Sequence, residues 1–381
     1  MTVSDHKAVR KYSTDIEEFP LPHGKIEEWR FTPTKLYLPL ANLISEDQRG
    51  QISYEFVETG AASKDDVALA DSAAGCVNLP MERVSAVAWN STERCCCIEF
   101  SAGENTKTPT VLHTSNAPQD GHSYGHLVIK VPDGAHASLL VYRRETNANS
   151  DGVEILVGDN ASLTVAFVGL QGDDAVSHSE HSIKLGENAH LRHGVINLGG
   201  KAVRTTTSVR YAGPRAEVEL LGLFFVGPGQ HVENRLLVDH DQPNCKSDVN
   251  YKSALLGDTN SRDGIAHGVW VGDVFISPEA IGTNTYESNK NLMLSKATRM
   301  DSIPNLEITT GVIEGAGHAS TTGRFDEEEL FYLQSRGIDE MTARQLVVRG
   351  FFHDIVHRLE LPTLEAELDR VIFKQLDRAG L

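Results

Sequence analysis

Apolar residues alternate with polar ones along the middle of this chain, and the alternation restarts at nearly regular intervals. Leu163, Val165 and Phe167 form one such run. Val218, Leu220 and, across Gly222, Phe224 form another. A period of two is the mark of a β-strand with one buried face. Both runs belong to a short unit, Gly-x-x-Ala-x-(Leu/Val), found at Gly134–Leu139, Gly158–Leu163, Gly186–Leu191 and Gly213–Val218. Its alanines, Ala137, Ala161, Ala189 and Ala216, are spaced 24, 28 and 27 residues apart. Glycine ahead of an alternating run marks a tight turn. Self-similarity at a period of roughly 20–50 residues marks stacked repeats. Each unit is strand–turn–strand with no helical stretch, so the pattern predicts a β-solenoid whose coils bury their apolar faces on one another. The four alanines are expected at equivalent inward places in successive coils.

Further strands are predicted at Val84–Trp89, Cys95–Phe100, His126–Val131 and Ser138–Arg143. Beyond Val218 the repeat loosens, with strands expected at Val249–Ala254, Gly268–Ile276 and Leu306–Ile313. Pro214, Pro228, Pro243, Pro278 and Pro304 are assigned to the intervening turns. The strand-rich core spans residues 86–322. Residues 1–85 are predicted to be a mixed leader of short helices and loops. At Phe325 the period changes. Asp326 and Glu329 stand as a helix start, and Gly337 as a C-cap glycine. A second helix follows Asp339, with the apolar stripe Ala343, Leu346/Val347, Phe351, Ile355 and Leu359. Pro362 breaks it, and a third carries Leu364, Leu368, Val371/Ile372 and Leu376. Residues 323–381 thus read as a small helical domain. The fold class is mainly β: a parallel β-helix (β-solenoid) with N-terminal and C-terminal α-helical regions.

Composition narrows the function classes. The net charge of −18 over 381 residues argues against nucleic acid as a main partner, because phosphate binding needs clustered Lys and Arg. No apolar run approaches the roughly 18 residues of a membrane span, and the first residues lack the apolar core of a signal peptide, so a cytoplasmic protein is expected. The odd number of cysteines, Cys76, Cys95, Cys96, Cys97 and Cys245, argues against a disulfide framework. Cys95, Cys96 and Cys97 alternate faces in a strand and cannot all reach one metal from one side. Buried small hydrophobes are the expected role of all five.

Histidine is abundant, at 16 residues, yet few are at ligand spacing. His178 and His181 are three apart in a strand, so they face opposite sides. His353 and His357 are four apart on one helical face, without a third ligand in a fixed pattern. No His-Glu-x-x-His, P-loop, Gly-x-Ser-x-Gly or Gly-x-Gly-x-x-Gly motif occurs. His318, between Gly317 and Ala319 at the junction of solenoid and helices, is sterically open to a ligand or a partner chain.

Several segments resemble the SufB/SufD family of iron–sulfur cluster assembly proteins. They are Glu27–Pro33 (EEWRFTP), Val238-Asp239-His240 with Ser247 and Tyr251-Lys252, Asn291–Ser295 (NLMLS), Pro304–Ile308 (PNLEI) and Gly317–Ile338, with its core LFYLQSRG at Leu330–Gly337. Chain length and the Phe-Tyr-Leu-x-Ser-Arg-Gly stretch resemble the SufD branch more than the longer SufB branch. The resemblance implies a right-handed parallel β-helix between helical ends, which agrees with the repeat. It also implies a non-enzymatic scaffold that pairs with a SufB-like subunit and holds the SufC ABC ATPase through its C-terminal helices. His318 aligns with a family histidine that ligates a transient iron–sulfur cluster at the subunit interface. Where family members often carry Cys-Ser-His, this chain has Ala316-Gly317-His318, so no thiol is available at that point. Imidazole alone can still ligate iron beside a partner's thiolates. Phe331, Tyr332 and Arg336 are the expected ATPase-docking residues, with one of the two aromatics packed inside and the other outside. No cofactor is expected to bind stably to this chain alone; a homodimer is one state open to the isolated chain, which the sequence does not decide.

Two other classes carry a β-solenoid. A polysaccharide lyase or glycosidase needs carboxylates and aromatic sugar platforms along one groove, together with an export signal; aromatic content is 7% and no such signal is visible. A hexapeptide-repeat acyltransferase needs a period of about six, which is absent.

Overall fold

The computed structural model describes residues 11–58, 62–101, 109–116, 121–324, 327–361, 369–370, 373–374 and 377. Its centre is a parallel β-solenoid of about eight turns. Each turn contributes one strand to each of two facing sheets. Sheet A contains β3 (Arg94–Phe100), β5 (His122–Val131), β7 (Asn149–Val157), β9 (Val176–Leu185), β11 (Ala202–Tyr211), β13 (His231–His240), β15 (Ala266–Ile276) and β17 (Thr298–Ile308). Sheet B contains β4 (Thr110–Asn116), β6 (His136–Arg143), β8 (Ser162–Gly169), β10 (His190–Asn197), β12 (Glu217–Val226), β14 (Lys246–Leu255), β16 (Asn284–Met293) and β18 (Gly315–Arg324). Alternation decides which side chains fill the space between the sheets: Leu163, Val165, Phe167, Val218, Leu220 and Phe224 all lie in one continuous core.

The turn that creates the repeat forms a column of its own. Gly134, Asn160, Asn188, Arg215, Asn244 and Gly282 each adopt a left-handed backbone, with φ between 53° and 76°. The small residue after each one, Ala135, Ala161, Ala189, Ala216, Cys245 and Thr283, enters the sheet at the same inward level. Ala161, Ala189 and Ala216 are therefore equivalent and fully buried, as predicted. Ala137 is not: it pairs with Leu163, and Ala135 takes the alanine level. The Gly134 unit reads two residues out of phase because its glycine serves as the left-handed residue, where later coils use asparagine or arginine. The column is tied together by side chains. Asp133 Oδ1 accepts from the Asp159 amide and Asp159 Oδ1 from the Glu187 amide, each at 2.8 Å. Asn188 Nδ2 donates to Asn160 Oδ1 at 3.0 Å.

Strand predictions from Cys95 to Ile276 match β3, β5, β6, β14 and β15. Two differ. Val84–Trp89 lies in helix α2 (Arg83–Ser91). A short run of small apolar residues carries no strand period of its own, and here it fills the space between sheet A and the leader. Leu306–Ile313 covers only the end of β17 and the turn after it. Pro304 also lies inside β17 rather than in a turn. An edge strand tolerates a proline because one side of its ladder is unused. The leader, expected to hold only short helices and loops, also holds two strands: β1 (Arg49–Glu58) and β2 (Ala62–Ala68). β1 pairs antiparallel with β4, and β2 antiparallel with β3, so both sheets are closed at the N-terminal end. Ile52, Tyr54 and Phe56 alternate toward the core and are the signal that was present.

Helices α3 (Glu327–Ser335) and α4 (Glu340–Arg358) lie against the outer face of sheet B. Asp339 caps α4 by accepting from the Thr342 amide at 2.9 Å. Its buried stripe is Ala343, Val348, Phe352, Ile355, Val356 and Leu359, one position round from the prediction; Phe351 is half-buried and Leu346 exposed. The helix start at Asp326 and the third helix (Leu364, Leu368, Val371, Ile372, Leu376) lie outside the described residues.

Candidate functional site

The C-terminal end of the solenoid has no cap among the described residues: β17 pairs only with β15, and β18 only with β16. Both strands therefore present a free edge. The coils leading to this end change character. At one inward level sheet B carries Leu139, Val165, His193, Leu220 and Val249, then Glu287 and His318. At the next it carries Val195, Gly222, Tyr251, Asn289 and Ser320. An apolar core thus becomes polar in its last two coils.

His318 sits on β18 at an inward-facing position, and it is exposed because no further coil covers it. Its register partner Glu287 is 1% exposed, and among the described residues neither carboxylate oxygen has a hydrogen-bond partner. Burial, reinforced by Asp273, pushes the Glu287 carboxyl up to about 8, so it is protonated at neutral pH. Around it runs a chain of neutral hydrogen bonds. Ser320 Oγ bonds Ser302 Oγ at 2.8 Å, and Ser302 Oγ donates to Asn289 Oδ1 at 2.7 Å. Asn291 Nδ2 donates to the same oxygen at 2.6 Å. Gly222 is required where it stands, because a Cβ there would lie 1.9 Å from the Tyr251 ring. Glu287 was not singled out from sequence. The signal was Thr285, Glu287, Asn289 and Asn291 in strand alternation, occupying levels that are apolar in earlier coils.

Phe331 and Tyr332 lie on α3 and Arg336 in the turn that follows it, and the packing differs from the expected one. Neither aromatic packs inside: Phe331 is 72% exposed and Tyr332 57%. Leu330 takes the inward position, where it joins the apolar layer over sheet B. The Arg336 guanidinium stands 5.2 Å from the centre of the Tyr332 ring, so these two form one exposed cation–aromatic pair beside Phe331.

The other histidines and cysteines fall where alternation put them. His178 faces out toward Glu82, whereas His181 faces in, 2.9 Å from His193. His353 and His357 stack at 5.8 Å on the exposed side of α4. All five cysteines are free; Cys95 and Cys97 share one face at 3.8 Å, and Cys96 points into the core. Cys245 occupies the alanine level of the repeat. Burial pushes the Cys76 and Cys96 thiols up to about 12, which suits packing rather than thiolate chemistry. A cleft of about 790 Å³ opens between the leader and sheet A, lined in part by Trp29, Arg235, Leu237, Phe275 and Leu306; it does not include His318.

Comparison with known proteins identifies the family. The family model described as SUF system FeS cluster assembly, SufBD core domain, matches residues 113–351. An iron–sulfur cluster assembly SufBD family protein of Mycobacterium leprae is 42% identical over 364 residues, covering 96% of this chain and 93% of that protein. A SufBD family protein of Mycobacterium tuberculosis is 41% identical over 365 residues, covering 96% and 92%. The iron–sulfur cluster assembly protein SufD of Escherichia coli is 25% identical over 235 residues, 61% of this chain and 54% of that protein. With a core-domain match over more than half its length and near full-length relatives above two-fifths identity, this chain belongs to the SufBD family of iron–sulfur cluster assembly proteins.

Proposed function

We propose that this chain is a non-catalytic scaffold subunit of a SUF assembly complex. It pairs with a SufB-like subunit through the open C-terminal end of the solenoid, and it presents His318 there to a transient iron–sulfur cluster. It engages the SufC ATPase through Phe331, Tyr332 and Arg336. The cluster is cargo of the complex and is not held by this chain alone. The observation that carries the reading is the exposed histidine on a strand with one free edge, at the solenoid end that has no cap among the described residues. Unpaired strand edges invite pairing with another chain. A neutral imidazole nitrogen can complete an iron site otherwise made of thiolates. A second copy of this chain is the other occupant that the same edge would accept.

Removing residues 325–381 is a poor test of ATPase docking, because α3 and α4 cover Ile196, Leu221, Leu223 and Phe225 on sheet B. Point variants of exposed residues avoid that. His318→Ala is expected to leave SufC co-purification intact and to lower cluster accumulation on the purified complex at least several-fold. Phe331→Asp is expected to do the reverse to SufC retention, with the solenoid folded. Normal cluster accumulation in His318→Ala overturns the ligand role; full SufC retention in Phe331→Asp overturns the docking surface.

A further inference from the structure

Two histidines that no part of the preceding reading uses face each other on the outer side of sheet A. His231 opens β13 and His267 lies at the start of β15, and they are direct partners in the parallel register. Neighbouring residues in a parallel ladder point the same way, so the two imidazoles are held side by side. Their Nδ1 atoms are 3.1 Å apart, with ring centres at 4.7 Å. The other nitrogen of each ring faces a carboxylate. His267 Nε2 lies 2.7 Å from Asp301 Oδ2, and His231 Nε2 lies 3.3 Å from Glu233 Oε2.

Proton accounting makes this arrangement informative. An ionised carboxylate only accepts, so each Nε2 must carry the hydrogen it donates. A neutral imidazole has one N–H, which leaves a lone pair on each Nδ1. Two lone pairs then meet at 3.1 Å. Such a pair is joined either by one shared proton, one ring then being cationic, or by a metal ion between the two nitrogens. Imidazoles whose far nitrogen donates to a carboxylate are the usual form of metal-bound histidine, because the carboxylate fixes the tautomer and raises ligand basicity. At a metal–nitrogen distance of ~2.1 Å, nitrogens 3.1 Å apart subtend about 95° at the ion, an ordinary angle between adjacent ligands.

We infer that His231 Nδ1 and His267 Nδ1 form a site for a divalent transition-metal ion of the imidazole-preferring kind, Zn²⁺ or Fe²⁺, with Glu233 and Asp301 as its outer carboxylates. Among the described residues no third His, Cys, Asp or Glu closes the ligand set, so water fills the remaining positions. The site is accessible: the His267 and Asp301 side chains are 17% and 20% exposed, whereas His231 and Glu233 are nearly covered. It belongs to the sheet face opposite the C-terminal helices, and it is independent of His318.

The test uses the full-length chain, stripped with chelator and titrated with Zn²⁺ by calorimetry and with Co²⁺ by absorption. One strong equivalent is expected, with a Co²⁺ spectrum free of thiolate charge-transfer bands. His231→Gln and His267→Gln should each weaken it at least 100-fold, and Asp301→Asn about 10–100-fold. His353→Ala should leave it unchanged. Melting of each variant in chelator checks the fold. Should a glutamine variant not fold, ring ¹⁵N shifts of the wild-type chain on Zn²⁺ addition replace it: two Nδ1 signals must move. A wild-type chain that takes up no stoichiometric ion holds a shared proton between the rings instead, and that result overturns the inference. So does a strong equivalent that survives in both glutamine variants, or one that is lost in His353→Ala.

Discussion

Over sheet B, α4 lays Phe352, Ile355 and Leu359 on Ile196, Leu221, Leu223 and Phe225, and Gly194 leaves room for the Leu359 side chain. Over sheet A, the leader lays Trp29, Thr32, Glu82 and Ser85 on a face made of His178, Glu180, Arg204 and Glu233. The first contact is almost wholly apolar; Lys252 and Arg358 pair only at its margin. The second combines an apolar cluster, Trp29, Tyr37, Leu40, Val84 and Val87 with Tyr124 and Ala202, and a buried ionic network that the first lacks. The Arg204 guanidinium donates to Glu82 at 2.9 Å and also pairs with Glu233, while its Cζ sits 4.2 Å from the Trp29 ring centre. The Thr32 hydroxyl donates to Glu233 at 2.6 Å. One solenoid thus carries two covers, of which only one is built around buried charge. Area burial tolerates volume-conserving exchange. A buried network tolerates only changes that keep every charge balanced.

The sharpest way to break the contrast is at Arg204. Arg204→Met removes the cation that two buried carboxylates share, leaving Glu233 to Arg235 and His231 and Glu82 to His178, and is expected to cost about 4 kcal/mol in urea unfolding. Limited proteolysis should then cut first between residues 11 and 45, with the solenoid intact. The triple variant Arg204→Met, Glu82→Gln, Glu233→Gln should recover most of the loss, since it removes charge on both sides. A triple variant as unstable as the single one would show that the Trp29 contact, rather than the ion network, holds the leader.

The matching break over sheet B is Phe352→Ala, expected to cost about 3 kcal/mol from lost transfer energy and the cavity left behind. Hydrogen exchange should rise in α4 before it rises in any strand. Phe352→Leu, which keeps most of the volume, should cost under about 1.5 kcal/mol. No exchange of similar size is expected to be tolerated at Arg204.

These two covers also differ in how far the sequence reveals them. The solenoid follows from period-two alternation and the spacing of Ala161, Ala189 and Ala216, because identical turns must stack at identical intervals. The left-handed column was half-visible: Asn160 and Asn188 stand in the repeat unit, but Arg215 gives no sign of a positive φ. Helix α4 could be read, with its stripe one position off, since Phe351 and Phe352 compete for the inward place. The network over sheet A could not be read. Its members come from residues such as Thr32, Glu82, Arg204 and Glu233, and only stacking brings them together. The same holds for His231 and His267, which are 36 residues apart. His318 was found by resemblance and its open edge by structure. Glu287 was missed because a single acid in a polar strand looks solvated until its coil level is known.

The smallest expected effect is the pH dependence, and it separates the two covers without any mutation of their packing. Burial by itself would raise Glu82, but Arg204 and His178 more than offset it and hold the carboxyl at about 2. Glu233 is opposed by burial in the same way, and Arg204 and His231 hold it well below the usual range. Carboxyls depressed on folding contribute stability above the unfolded value near 4.5, and lose it as pH falls toward the folded value. Glu180 has the opposite sign. Burial pushes it up to about 8, only partly relieved by Ser85, with Glu82 adding to the rise. Its contribution is full below about pH 4.5 and is lost as pH rises from there to about 8. The leader cover should therefore be most stable near pH 4.5–5 and weaken on both sides, by on the order of 1–3 kcal/mol. Glu180→Gln should flatten the alkaline side alone, so that the variant gains on wild type between pH 6 and 8. Exchange of α4 amides, corrected for intrinsic rates, should stay level between pH 6 and 8, since its buried layer on sheet B is apolar and the Glu219 carboxyl at its margin is held low by Arg192 and Arg358 against the effect of burial. A loss of protection in α4 that tracks the loss in residues 26–37 would show that the two covers unfold as one unit, and the division drawn here would fail.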